Sequence, residues 1–272
     1  MDDYRRGMKI EHILEKGSGS CNEDTLIMEN NIFGVFDGAS SLVEKRFKDQ
    51  KTGGRLAAEI AGRVFAKNHY PLIRLGCQAN TAILNQMKIA QVDTSRRHTL
   101  WSASAAVARV TRERVEWFQT GDAYILIIRK DGSYFLPVER EDHDYETLLM
   151  LKKDANHQSR KFKNQVIKIR QQMNKTYGVL NGEPEAVGFL NTGSLPVKDI
   201  RTILLFTDGL SHPSRIPVRM KNFRPLVSLY KRLGLSGLKN HIRKMESKDP
   251  LIRKFPRFKC HDDIAAIAIH PA

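Results

Sequence analysis

Short apolar β-runs that give way to acidic turns recur from one end of this chain to the other. Asn22-Glu23-Asp24 precedes one run, Phe36-Asp37-Gly38 ends another, Phe206-Thr207-Asp208-Gly209-Leu210 ends a third, and His261-Asp262-Asp263 precedes the last. Runs of this kind need sheet partners, and their turns gather at strand ends. Carboxylates placed there suit a hard divalent cation, which is held by rigidly positioned oxygen atoms. The pattern points to a metal-dependent enzyme. A single Asp-Gly pair would carry little weight, because it is also a common turn dipeptide and Asp131-Gly132 is an ordinary instance of one. The ordered series carries the argument.

The spacing predicts strands over Lys9–Leu14, Thr25–Glu29 and Ile32–Phe36, with a tight turn at Asn30-Asn31. Leu56, Ile60 and Val64, with Ala57, Ala61 and Phe65, mark a helix face, and Ile83, Leu84, Met87 and Ala90 mark a second. An antiparallel meander follows over Ser102–Val110, Arg114–Gln119, Ala123–Arg129 and Ser133–Leu136. Tyr145–Lys153 reads as helix, Asn156–Lys175 as helix or mobile insertion, and Ala186–Leu190 and Thr202–Phe206 as strands. Pro225 opens a helix that Gly234 ends, a short helix through Leu238, Ile242 and Met245 follows, and Ile264–Ile269 is the closing strand. Hairpins dominate over β-α-β alternation, so the expected class is α+β with antiparallel sheet. We expect one domain over 1–272, carrying a basic helical or flap-like insertion around 150–176.

The formal net charge is +15, and the basic residues concentrate in Lys152–Lys175 and Lys221–Lys259. Such a chain attracts anionic partners. Solvated helix faces account for basic runs that lack interleaved aromatic platforms, which makes nucleic acid an unfavoured partner. No apolar run reaches the roughly 18 to 20 residues needed to span a bilayer. Cys21, Cys77 and Cys260 are widely spaced without a Cys-x-x-Cys pair, as expected for free thiols in a reducing, cytoplasmic compartment.

The order Asn22-Glu23-Asp24, Phe33-Gly34-Val35-Phe36-Asp37-Gly38, Thr120-Gly121-Asp122-Ala123, Phe206-Thr207-Asp208-Gly209-Leu210 and Asp262-Asp263-Ile264 resembles the metal-dependent serine/threonine phosphatases of the type 2C family. Glu141-Asp142-His143-Asp144 and Tyr177-Gly178-Val179-Leu180 also fall where that family has related segments. The resemblance implies a four-layer αββα sandwich with a two-metal centre at one end. It implies that Asp37 bridges two Mn²⁺ or Mg²⁺ ions, that the Gly38 carbonyl helps hold the second, and that Asp208 and Asp262 bind the first. Glu23 and Asp24 would hold coordinated waters, Asp122 would bind a possible third ion, and Asp263 would be secondary. The implied reaction is hydrolysis of phosphoserine or phosphothreonine in a phosphorylated protein substrate by a metal-bridging water, with Asp37 and Asp208 central to catalysis, and the basic Lys152–Lys175 segment leads us to expect that substrate to be acidic.

Two positions depart from the pattern. Gly19 stands where many members carry a phosphate-clamping arginine, and Ala39 stands where eukaryotic members have a histidine. The Lys16-Gly17-Ser18-Gly19-Ser20 loop, through backbone N–H groups, Lys16, Ser18 and Ser20, or else Arg5 and Arg6, is the expected substitute for the arginine. A catalytically weak module that binds a phosphorylated partner is the alternative reading. His98, His143 and His212 carry no spacing that marks them as ligands and read as turn residues.

Overall fold

In the computed structural model, which describes residues 7–39 and 46–272, the alternation of side chains along Ile32–Ala39 sets the layering. Phe33 and Val35 point one way and pack with Ile125, Ile127, Leu205 and Ile267 of a second sheet. Ile32 and Phe36 point the other way, beneath Ala57, Ala61 and Phe65. A strand apolar on both faces must be covered on both, and here a sheet covers one face and helices the other.

The strands are β1 (Lys9–Glu15), β2 (Thr25–Glu29), β3 (Ile32–Ala39), β4 (Ser102–Val110), β5 (Arg114–Thr120), β6 (Tyr124–Arg129), β7 (Tyr134–Phe135), β8 (Asn191–Pro196), β9 (Ile200–Phe206) and β10 (Ile264–His270). The helices are α1 (Gly53–Ala66), α2 (Leu72–Ile89), α3 (Tyr145–Lys153), α4 (Arg160–Arg170) and α5 (Arg224–Ser247). Two antiparallel five-stranded sheets result, ordered β1-β10-β9-β6-β7 and β2-β3-β4-β5-β8. Helices α1 and α2 cover the second sheet, where Phe65 sits 5.7 Å from Phe36 and 4.9 Å from Phe118 between ring centroids. Leu226, Leu238 and Ile242 of α5 cover Leu126, Leu204 and Ala266 on the outer face of the first. The expected αββα sandwich is the observed one.

Three local expectations need correction. The meander divides between the sheets: β4 pairs with β5 and β6 with β7, and the chain crosses from one sheet to the other at Gly121-Asp122. Ala186–Leu190 is no strand; a 3₁₀ turn occupies Pro184–Phe189 and β8 begins at Asn191. Pro184 has a fixed φ and no N–H to give a sheet, which suits the first turn of a helix better than a strand. Finally, the two helices expected around Gly234 form one element, α5, kinked at that glycine, whose φ is 69°. The segment 156–175 contains a regular helix, α4, opened by Ser159, whose hydroxyl accepts the Phe162 N–H at 3.2 Å. Arg5 and Arg6 lie outside the described residues.

Candidate metal centre

β3 and β4 are in register with Asp37 opposite Ser104, on the strand face that further along carries the apolar residues between the sheets. Where that apolar layer ends, polar side chains take over. Ser104 donates to Asp122 Oδ1 at 2.5 Å, so the crossing between sheets delivers Asp122 to the place where β3 delivers Asp37. From the opposing sheet, β9 runs out into Asp208, and Asp262-Asp263 leads into β10.

Glycines permit these turns to meet. A Cβ on Gly209 would lie 1.9 Å from the Asp263 carbonyl oxygen, and one on Gly38 would lie 2.3 Å from the Gly54 carbonyl oxygen and 2.7 Å from that of Glu23. The glycine of each Asp-Gly pair is therefore required by the close approach of the neighbouring backbone.

Asp263 works as a clamp. Its carboxylate is 3 % exposed and accepts the Gly17 N–H at 2.7 Å and the Glu23 N–H at 2.8 Å, tying the 16–24 loop to β10. Asp24, 2 % exposed, accepts the Thr207 hydroxyl at 2.6 Å, and Thr207 in turn accepts the Ala265 N–H at 2.9 Å. Glu23 accepts the hydroxyl of Thr52, the residue that also caps α1. Arg55 donates to the carbonyls of Asn22 and Asp24 and binds Glu59 through Nε at 2.7 Å. Each bond fixes the acidic loop without taking up Asp37 or Asp208.

The electrostatics are those of crowded anions. Burial raises the pKa of Asp37 well above the ordinary carboxylate range, and Asp24, Asp208, Asp122 and Asp262 push it further. Burial likewise raises Asp208, reinforced by Asp262 and Asp122 and opposed by Lys221. Asp24 is pushed up to about 8 by burial, against the Thr207 bond and with Asp262 and Asp263 adding to the rise. Asp122 behaves oppositely: burial would raise it, but His143, Arg140 and the Ser104 bond together hold it below the usual range. This donor set fits a hard divalent cation, because all-oxygen carboxylate ligands that repel one another are neutralised by one.

Among the described residues, Asp122, His143 and Asp144 have donor atoms within 4.8 Å of one another, whereas Asp37, Asp208 and Asp262 do not form such a closed group. Asp262 is instead bound by Lys259 at 2.8 Å. Lys221 lies 3.5 Å from Asp142 Oδ2 and over the Tyr124 ring. The ends of the basic run 221–259 are thus counter-ions inside an acidic cleft rather than parts of a solvated face.

His143 is the residue that sequence reasoning missed. Its Nε2 lies 3.6 Å from Asp122 and 3.7 Å from Asp144, and its ring stacks on Tyr177 at 4.0 Å. The segment Glu141-Asp142-His143-Asp144 was the available signal, but its partner Asp122 is remote in sequence. His212 is half-buried and lines a cavity of about 670 Å³ beside the centre, together with Asp208, Asp262, Lys221, Lys259 and Phe258.

The expected phosphate loop is differently employed. The Gly17 N–H is held by Asp263, the Ser18 N–H and hydroxyl both point to the His261 carbonyl, at 2.8 and 2.9 Å, and Ser20 Oγ accepts Arg46 Nη2 at 2.5 Å. Two of the N–H groups that a phosphate nest would use are occupied.

Comparison with solved structures agrees with this architecture. The serine/threonine phosphatase PstP of Mycobacterium tuberculosis matches with a TM-score of 0.58 at 14% identity, over 97% of this chain and 98% of that one. The catalytic domain of PstP in complex with two manganese ions gives 0.59 at 13% identity, over 97% of each chain. The serine/threonine phosphatase Stp1 of Staphylococcus aureus gives 0.59 at 11%, over 97% of this chain and 95% of that one. At these identities the likeness speaks for the fold. No curated protein sequence matches. The sequence model of protein phosphatase 2C matches residues 16–245, and the chain therefore belongs to the protein phosphatase 2C family, a family of phosphoprotein phosphatases.

Proposed function

We propose that this phosphatase is metal-dependent and hydrolyses phosphoserine and phosphothreonine in a protein substrate, using Mn²⁺ or Mg²⁺. The supporting observation is the convergence of Asp37, Asp208, Asp24, Asp122 and Asp262 from both sheets into one cleft, where burial and the neighbouring carboxylates raise the proton affinity of Asp37, Asp208 and Asp24. Asp37, the Gly38 carbonyl, Asp208 and Asp262 are the proposed ligands of two ions, and Asp122, with His143 and Asp144 beside it, of a third. Bound there, two divalent ions would supply an acidified attacking water and neutralise charge on the phosphoryl oxygens. The chain's own part is positional: Asp263 and Thr207 hold the Glu23-Asp24 loop, and the glycines let the two Asp-Gly turns close on it. The cavity beside Asp208 gives the organic part of the substrate a place to lie, with Phe223 and Phe258 in its walls. The insertion around 150–176, whose α4 surface is basic and has no buried residue, is the proposed contact for an acidic partner. The free cysteines, and the absence among the described residues of any helix long and apolar enough to cross a membrane, are compatible with the proposed cytoplasmic location.

The deciding experiment is hydrolysis of a small aryl phosphate with Mn²⁺, Mg²⁺ or chelator, wild type against Asp208→Asn. Turnover that needs metal and drops at least about a hundredfold in the variant supports the reading, since one ligand lost from such a site removes several kcal/mol of charge stabilisation. Measurable Mn²⁺ binding without turnover would favour a module that only binds phosphorylated partners.

A further inference from the structure

The cations around the cleft differ in how far their charge is committed. Lys259 is 2.8 Å from Asp262, Lys221 is 3.5 Å from Asp142, and Arg55 is bound to Glu59 and to two backbone carbonyls. Arg46 is exposed and makes no ion pair among the described residues. Its Nη2 donates to Ser20 Oγ at 2.5 Å and its Nη1 to Cys21 Sγ at 3.7 Å. A hydroxyl and a thiol orient a guanidinium without neutralising it.

The place where it is oriented matters. Cys21 Sγ lies 3.8 Å from Thr52 Oγ1, and that hydroxyl is bonded to Glu23. The Glu23 carbonyl in turn packs against Gly38, next to Asp37. The Gly54 carbonyl of the first turn of α1 packs on Gly38 as well, so the positive end of a 14-residue helix faces the same side of the cleft. Arg46 therefore stands against the turn that leads into the carboxylates, exposed and without an ion pair among the described residues.

We propose that Arg46 grips the phosphoryl oxygens of the substrate, taking the part that residue 19, a glycine, cannot take. The inference rests on the phosphatase reading. A planar guanidinium can give a phosphomonoester dianion two parallel hydrogen bonds, which an ammonium cannot. Ser20 and Cys21 hold the fork in position before substrate arrives.

The test is calorimetric titration of inorganic phosphate into the Mn²⁺-loaded protein, for wild type, Arg46→Ala and Arg46→Lys. It is run alongside Mn²⁺ titration of the metal-free proteins and KM for an aryl phosphate. Arg46→Ala is expected to weaken phosphate binding about tenfold to a hundredfold, as loss of a charge-assisted hydrogen-bond pair does, and to raise KM in step. Mn²⁺ affinity and melting temperature should stay at wild-type values, and Arg46→Lys should fall between. Wild-type phosphate affinity in Arg46→Ala would overturn the proposal. So would a parallel loss of Mn²⁺ affinity, which would make Arg46 a prop for the Glu23 turn, or a wild type that binds no phosphate. A wild type that binds phosphate through Arg46 yet hydrolyses nothing would sink the phosphatase reading and leave the assignment of Arg46 standing.

Discussion

Lys259 shows how a single side chain can hold an acidic cleft together. Burial works against its charge, but Asp262, Glu23 and Asp263 more than compensate, and its pKa rises. An ammonium 2.8 Å from Asp262 competes with any metal ion for that carboxylate. We therefore expect Lys259→Gln to tighten Mn²⁺ binding by about fivefold or more while lowering the melting temperature of the chelated protein. Even at the screening of bulk water, a unit charge at about 4 Å is worth about 1 kcal/mol. Calorimetry and thermal unfolding of the same variant check both halves, and unchanged Mn²⁺ affinity would show that Lys259 does not compete. At this scale Asp37, Asp208 and Asp262 were legible because each abuts an apolar run. Lys221 and Lys259 were not, because what distinguishes a counter-ion from a solvated lysine is burial and partnership, and neither leaves a mark in local sequence. The histidine beside Asp122 was hidden for the same reason.

Among the elements, the close fit of the turn after β9 onto the start of β10 carries the clearest consequence. Gly209→Ala must move the Asp263 backbone, since the added methyl would sit 1.9 Å from its carbonyl oxygen. Overpacking of this kind costs about 1–3 kcal/mol, and the shift disturbs the clamp on Gly17 and Glu23 as well. Denaturant unfolding should show the lower midpoint, and Mn²⁺ titration a weaker site; wild-type behaviour in both would mean the turn is more yielding than its packing implies. Strands such as Ile264–His270 and Ser102–Val110 were legible from their apolar runs, and the helix faces of α1 and α2 from period. The split of the central meander between two sheets was not. Pairing within a hairpin is written in the turn, whereas the choice of sheet is decided by which face finds a partner far away in sequence.

For the molecule as a whole, the crowded carboxylates couple stability to pH. A carboxyl whose pKa is higher in the folded than in the unfolded state carries more protons when folded, so stability falls as pH rises between the two values. Asp24, about 8 in the fold against an ordinary 3.8, sets that window, with Asp37 and Asp208 shifted in the same direction. Asp122, shifted downward, contributes stability that is lost only on acidification below the usual carboxylate range. With chelator, the melting temperature should fall by at least about 4 °C between pH 5 and 8. With Mn²⁺ the trend should reverse, because the ligands bind metal only after losing their protons. Parallel profiles with and without Mn²⁺ would show that the ion does not engage these groups.

The clamp between Gly17 and Asp263 joins residues 246 positions apart, and β10, which follows Asp263, lies between β1 and β9 in its sheet. On a ribosome, then, the Glu23 turn emerges well before the carboxylate that will hold it. A message cut short before the codon for Asp262 would yield most of the apolar runs and no centre. The same arrangement leaves the acidic cleft unclosed in the nascent polypeptide until Asp263 has been added.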